Sequence, residues 1–232
     1  METKNTFMKT KPVFSLLVSM SVPMMLSMLI QSLYNIVDSI YVSQLGTDAL
    51  TAVSLAYPLQ NAIVSVAVGV GVGISSAISI HLGSGDQEKA DRSATLGVAL
   101  TVFHCILFIL AGIFVTRPFL SLFTDNPSIL KDACDYTYIV LCFSFGALLQ
   151  ITFEKIFQGI GEMKITMYLL SVGCVINIIL DPIFIFALGM GVKGAALATV
   201  ASEFIGGLTP LLYFLRKNNS SLQLCRTRIQ PG

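Results

Sequence analysis

Apolar residues run in six long blocks, separated by short segments that carry the polar residues and the helix breakers. Stretches almost free of charge fall at about 12–43, 50–80, 93–116, 134–153, 165–188 and 194–215. Each is about 20 residues or longer, enough for a helix to cross a hydrocarbon core about 30 Å thick. Barrel strands would be about 10 residues long with strict alternation. Ala62–Ile80 does not alternate. Backbone polar groups in lipid must be paired within their own segment, so the pattern predicts helices. The expectation is an all-α, polytopic six-helix bundle over 1–216, followed by a polar tail at 217–232.

Composition strengthens the membrane reading. Apolar residues make up 54% of the 232-residue chain and charged residues 12%, where a soluble domain carries about 25% charge. The net charge of +1 gives no field that would attract nucleic acid, so no nucleic-acid partner is expected. Basic residues matter by position. With the N-terminus inside, the inner segments hold Lys4, Lys9, Lys11, Lys89, Arg92, Lys155, Lys164, Arg216, Lys217, Arg226 and Arg228. The outer ones hold Arg117, Lys131 and Lys193. That asymmetry predicts a multi-pass plasma-membrane protein with both termini cytoplasmic. The uncharged run from Pro12 to Val37 is too long for a cleaved signal sequence and is expected to be the first helix.

Several familiar motifs are absent or misleading. Cys105, Cys134, Cys142, Cys174 and Cys225 show neither a CxxC nor metal-ligand spacing, so neither a zinc site nor a disulfide framework is expected. Gly69, Gly71 and Gly73 form a GxGxG, but no strand precedes it and it lies within an apolar span. Close helix packing explains it better than a nucleotide site. Nothing pairs a nucleophile with a base, so the chain is not expected to be an enzyme.

Three acids stand where charge is costly: Asp38, Asp181 and Glu203. A charge at the bilayer centre costs about 2.5–3.5 kcal/mol on insertion scales. A carboxyl there can be protonated, hydrated in a cavity or neutralised by a cation. Helical spacing gives them company. Gln31, Tyr34 and Asp38 share a face of the first helix, with Asn35 beside it; Asn177 and Asp181 are i, i+4 on the fifth; Thr199 and Glu203 are i, i+4 on the sixth. Carboxylate, amide, hydroxyl and phenol oxygens suit a dehydrated Na⁺ or a shared proton. The competing reading is that each group hydrogen-bonds a neighbouring helix and holds the bundle together. Pro23 lies well inside the first helix, where it removes a backbone bond and produces either a hinge or a static kink.

At these residues the chain resembles the multidrug and toxic compound extrusion (MATE) transporters, in their DinF-like branch. The resemblance runs through Gln31-Ser-Leu-Tyr34-Asn-Ile-Val-Asp38, Gly83-Ser-Gly-Asp-Gln-Glu-Lys89 and Phe157-Gln158-Gly159-Ile-Gly161. It continues in Asn177-Ile-Ile-Leu-Asp181-Pro182 and Gly194-Ala-Ala-Leu-Ala-Thr199. It implies one lobe, the N-terminal one, of a two-lobe antiporter in a bacterial membrane. Such an antiporter exports cationic or amphipathic xenobiotics in exchange for H⁺ or Na⁺, with no other cofactor. It further implies a cation or proton site at Asp38, Asn177, Asp181 and Thr199, with Na⁺ the possible metal ion. Gln31, Tyr34, Asn35 and Glu203 are expected to line the cavity and Pro23 to act as a hinge. Arg226–Gly232 resembles the start of an inter-lobe linker, so a second six-helix lobe is the expected partner. The alternatives are a non-transporting membrane scaffold and a flippase for lipid-linked substrates. A scaffold has little reason to hold unpaired acids, and the cationic cavity of a flippase would need an intramembrane Lys or Arg that the spans do not supply.

Overall fold

A computed structural model of the chain describes residues 12–216; the predicted tail at 217–232, Lys4, Lys9, Lys11 and Cys225 lie outside the described residues. Among the described residues seven α-helices run in order: α1 Val13–Ser43, α2 Thr47–Gly83, α3 Gln87–Leu120, α4 Pro127–Cys142, α5 Phe145–Gly159, α6 Met163–Pro182 and α7 Val192–Arg216. A π-helical segment, Ile183–Ala187, extends α6. Helices α1, α2, α3, α6 with its extension, and α7 are each long and apolar enough to cross a membrane.

Local sequence sets the ends. Gly46 precedes α2 at φ 117°, a region in which a side chain is strained. The Asp86 carboxylate accepts from the Lys89 amide at 3.1 Å and caps α3. The Lys89 ammonium lies 2.7 Å from the same carboxylate, and these two contacts hold the exposed Asp86 carboxyl below its ordinary range. Asn126 caps α4 through the Ser128 amide at 3.0 Å, with Pro127 at the first helical position.

The stretch expected as one helix at 134–153 is two, α4 and α5, meeting at a bend of 49°. The break falls at Phe143 and Ser144 beside Gly146, a Ser/Gly setting in which helices kink. The bend brings Gly146 against α7: a Cβ there would come 2.7 Å from the Phe204 amide nitrogen. Gly207 approaches from the other side, 2.9 Å from the Gly146 carbonyl oxygen on the same measure. Taken as one broken span, α4–α5 brings the count of spans to six.

The bundle centres on α5, which packs against α2, α7 and α3, while α1 lies chiefly along α6. Three apolar clusters fill the interior, the largest built around Ile63, Tyr136, Leu148, Ile185 and Ala196. The GxGxG of α2 is only partly a packing device. Gly71 and, further along, Ser75 meet α5, but Gly69 and Gly73 have nothing within 4 Å of a added Cβ. Its centre alone needs a glycine.

Candidate functional site

Asn177 and Asp181 project from one face of α6, one turn apart, and are 1% and 0% exposed. Pro182 follows and has no N–H, so it cannot donate to the Ile178 carbonyl. The chain then widens into the π-helical segment, a geometry frequent at functional sites. The first turns of α7 close over it. Gly194 is so near that a Cβ would come 2.6 Å from the Phe184 carbonyl oxygen, and Ala195, Ala196 and Ala198 are fully buried. This row of small residues packs α7 closely on α6, and Thr199, 1% exposed, follows it one residue after Ala198.

Asp38 comes from α1 and is half-buried. Tyr34 of α1 and Tyr136 of α4 each lie within electrostatic range of Asp38, Asp181 and Glu203, and Asp181 lies within range of Asp38. The group concentrates unmet hydrogen-bonding capacity that is otherwise found singly, at Thr116, Asp135 and Ser144. Asp38 Oδ1, both Asp181 oxygens, both Asn177 amide atoms, Thr199 Oγ1 and Glu203 Oε2 are buried and without a hydrogen-bond partner. Buried polar atoms are ordinarily paired, and an unmet one costs about 1–3 kcal/mol. Five of the residues singled out from sequence thus share one defect. A cation or proton held among them would remove it, and the donor set of carboxylate, amide and hydroxyl oxygens fits a hard monovalent ion. Among the described residues no three acids, histidines or cysteines converge as a metal-holding group.

A cavity of about 230 Å³ lies between α1, α5, α6 and α7. Gln31 and Tyr34 line it from α1, Asn177 from α6 and Glu203 from α7. Asp38 opens instead onto a separate groove with Ser54 and Tyr57. Asn35, expected at the cavity, is not there: it lies in an open groove with Ile36, Ser39 and Ile40. One residue on from Tyr34, it is rotated about 100° round the helix. Pro23 is buried, and α1 runs through it as one helix; the Ser27 hydroxyl donates to the Pro23 carbonyl at 2.9 Å.

Sequence reasoning missed three contributors. Tyr136, 1% exposed, donates to Gln60 Oε1 at 3.3 Å and faces Thr199. Gln60, an amide within an apolar run of α2, was the available signal. Gln150 and Lys155 line the cavity from α5. Lys155 was assigned to an inner loop because charge at 154 and 155 ended the predicted span. Its side chain is 13% exposed on α5 and pairs with Glu154 at 3.1 Å, so the helices do carry an enclosed lysine.

The MatE family profile matches residues 23–183. A multidrug export protein MepA of Staphylococcus haemolyticus is 30% identical over 92% of this chain and 48% of its own length. A protein of Shewanella oneidensis described as an FAD transporter is 31% identical over 84% of this chain and 44% of its own. Among solved structures, an outward-facing multidrug resistance MATE transporter of the MOP superfamily superposes with a TM-score of 0.89 at 31% identity, covering 94% of this chain and 48% of that one. A MATE transporter in a bent conformation gives 0.81 at 34% identity, over the same shares. The chain spans about half the length of the relatives it matches, the extent of one lobe. On the profile, the sequence matches and the fold, this chain belongs to the MATE family of membrane transporters.

Proposed function

We propose that this chain is the cation-coupling half of a multidrug exporter that exchanges H⁺ or Na⁺ for cationic or amphipathic xenobiotics. The observation that carries the reading is the set of unpaired buried atoms on Asp38, Asn177, Asp181, Thr199 and Glu203. A fold stabilised only by helix packing gains nothing from leaving them unmet. A coupling ion completes them in one state and leaves in the other, and that difference in affinity is what moves an alternating-access equilibrium. Pro23 is the proposed hinge of α1, allowing Asp38 to approach or leave the α6–α7 pair. A second six-helix lobe completes the drug cavity, and the excess of inner basic residues sets both termini in the cytoplasm of a bacterial cell. In the transporter that contains this chain, Asp38→Asn is expected to abolish drug efflux in whole cells at unchanged membrane abundance. Undiminished efflux would remove Asp38 from the coupling role.

A second reading, transport of an anionic or lipid-linked substrate on the same fold, gains from Lys155 in the cavity wall and from the relative described as an FAD transporter. The Lys155 charge is already paired with Glu154 at 3.1 Å, whereas the carboxylates of the cluster have no such partner. The balance of free charge favours a cation.

A further inference from the structure

The cavity wall on α5 carries a polar file. Gln150, Glu154 and Gln158 recur every fourth residue, and Gly146 continues the series, lying against the Glu203 backbone with a Cβ position 3.0 Å from its carbonyl carbon. Each step is about 6 Å along the helix. The file therefore descends from Glu203 toward Met163, the cavity-lining residue that opens α6. Gln150 sits midway; a Cβ on Gly206 would come 2.6 Å from its Oε1.

At the Met163 end the file is closed by a knot of three side chains. Lys155 Nζ donates to Glu154 Oε1 and to Gln158 Oε1, each at 3.1 Å, and Gln158 Nε2 donates to the same Glu154 oxygen at 2.7 Å. The lysine stem is seated in the notch left by Gly71, where a Cβ would stand 2.6 Å from Lys155 Cγ. The one glycine of the GxGxG that makes a close contact thus holds the one basic side chain lining the cavity. A pair that is 13% and 19% exposed is costly to bury merely for stability.

We propose that Glu154, Lys155 and Gln158 form a gate on the route by which the coupling cation passes between the Gly159–Met163 end of the lobe and Glu203 and Asn177. This rests on the cation-coupled reading above and adds to it a path and a barrier. With Lys155 in place, its ammonium opposes a passing cation and ties Glu154 to Gln158. When Lys155 swings away, Glu154 becomes a carboxylate step toward Gln150 and Glu203.

Cys174 lines the same cavity, next to Gly173, whose Cβ position is 3.7 Å from Gln150 Nε2. It is a native reporter midway along the path. Inside-out and right-side-out vesicles holding the chain are exposed to a membrane-impermeant trimethylammonium methanethiosulfonate, and modification of Cys174 is followed by peptide mass spectrometry. Lys155→Met and Gly71→Ala, the latter displacing the lysine without removing a charge, are each expected to speed modification about tenfold from the Gly159–Met163 side alone. Unchanged rates in both variants, or acceleration from the opposite side alone, would overturn the gate. The readout needs no drug transport, so failure of the antiport reading would show separately, as absent efflux beside an intact labelling pattern.

Discussion

Helix α1 and the α6–α7 pair contribute to one polar cluster, yet they are built differently. Of the apolar stretch of α1, 11% of residues are buried, against 50% in α7. Pro23, Ser27 and Val42 are the buried residues of α1, whereas α7 meets the segment after α6 backbone to backbone at Gly194. Close-packed interfaces have few alternative arrangements, while a sparsely packed helix shifts at low cost. On the proposed coupling role, Asn177, Asp181 and Thr199 form a fixed wall of the cluster and Asp38 its movable member. A site whose ion affinity must change between states needs both.

The largest expected effect tests the fixed wall. Gly146→Ala and Gly194→Ala force a Cβ into backbone at 2.7 and 2.6 Å and should each destabilise the fold by about 1–3 kcal/mol, read as a lower melting temperature in detergent. Met28→Ala, on an α1 residue 64% exposed, should stay within about 0.5 kcal/mol of the parent. Equal losses would erase the contrast between the two regions. Next comes the proposed hinge. Pro23→Ala restores an N–H for the Ser19 carbonyl and should slow transport while leaving the melting temperature unchanged or raised. A joint fall in both would make Pro23 a packing residue. A smaller effect than that of the glycine substitutions belongs to Tyr136→Phe, which removes the bond to Gln60 and should cost about 1 kcal/mol, with coupling weakened but present.

Much of the fold was legible because lipid leaves a chain few choices. Charge-free length alone located the long apolar helices. The α4–α5 break was not legible, because no proline marks it and the α7 backbone that meets Gly146 beside the break lies far along the chain. Helical spacing gathered Asn177 with Asp181 and Gln31 with Tyr34, since those neighbours share a helix. The cavity-lining expectation failed for Asn35, which spacing itself sets beside the face, and spacing could not find Tyr136 or Lys155, whose partners lie on other helices or past the point where charge seemed to end the span. The unpaired state of the five polar residues is likewise a property of packing that sequence alone does not reveal.

The central claim is that these unpaired atoms await a cation. Anything bound by the folded state alone raises its stability, by about 2.7 kcal/mol at a hundred times the dissociation constant. The direct measurement is the melting temperature of the purified chain as Na⁺ replaces choline at constant ionic strength, repeated across a proton titration, in the parent, Asp38→Asn and Asp181→Asn. The account predicts that one of the two ions raises the melting temperature of the parent and that both substitutions abolish that rise. Identical responses of all three proteins to both ions would contradict it.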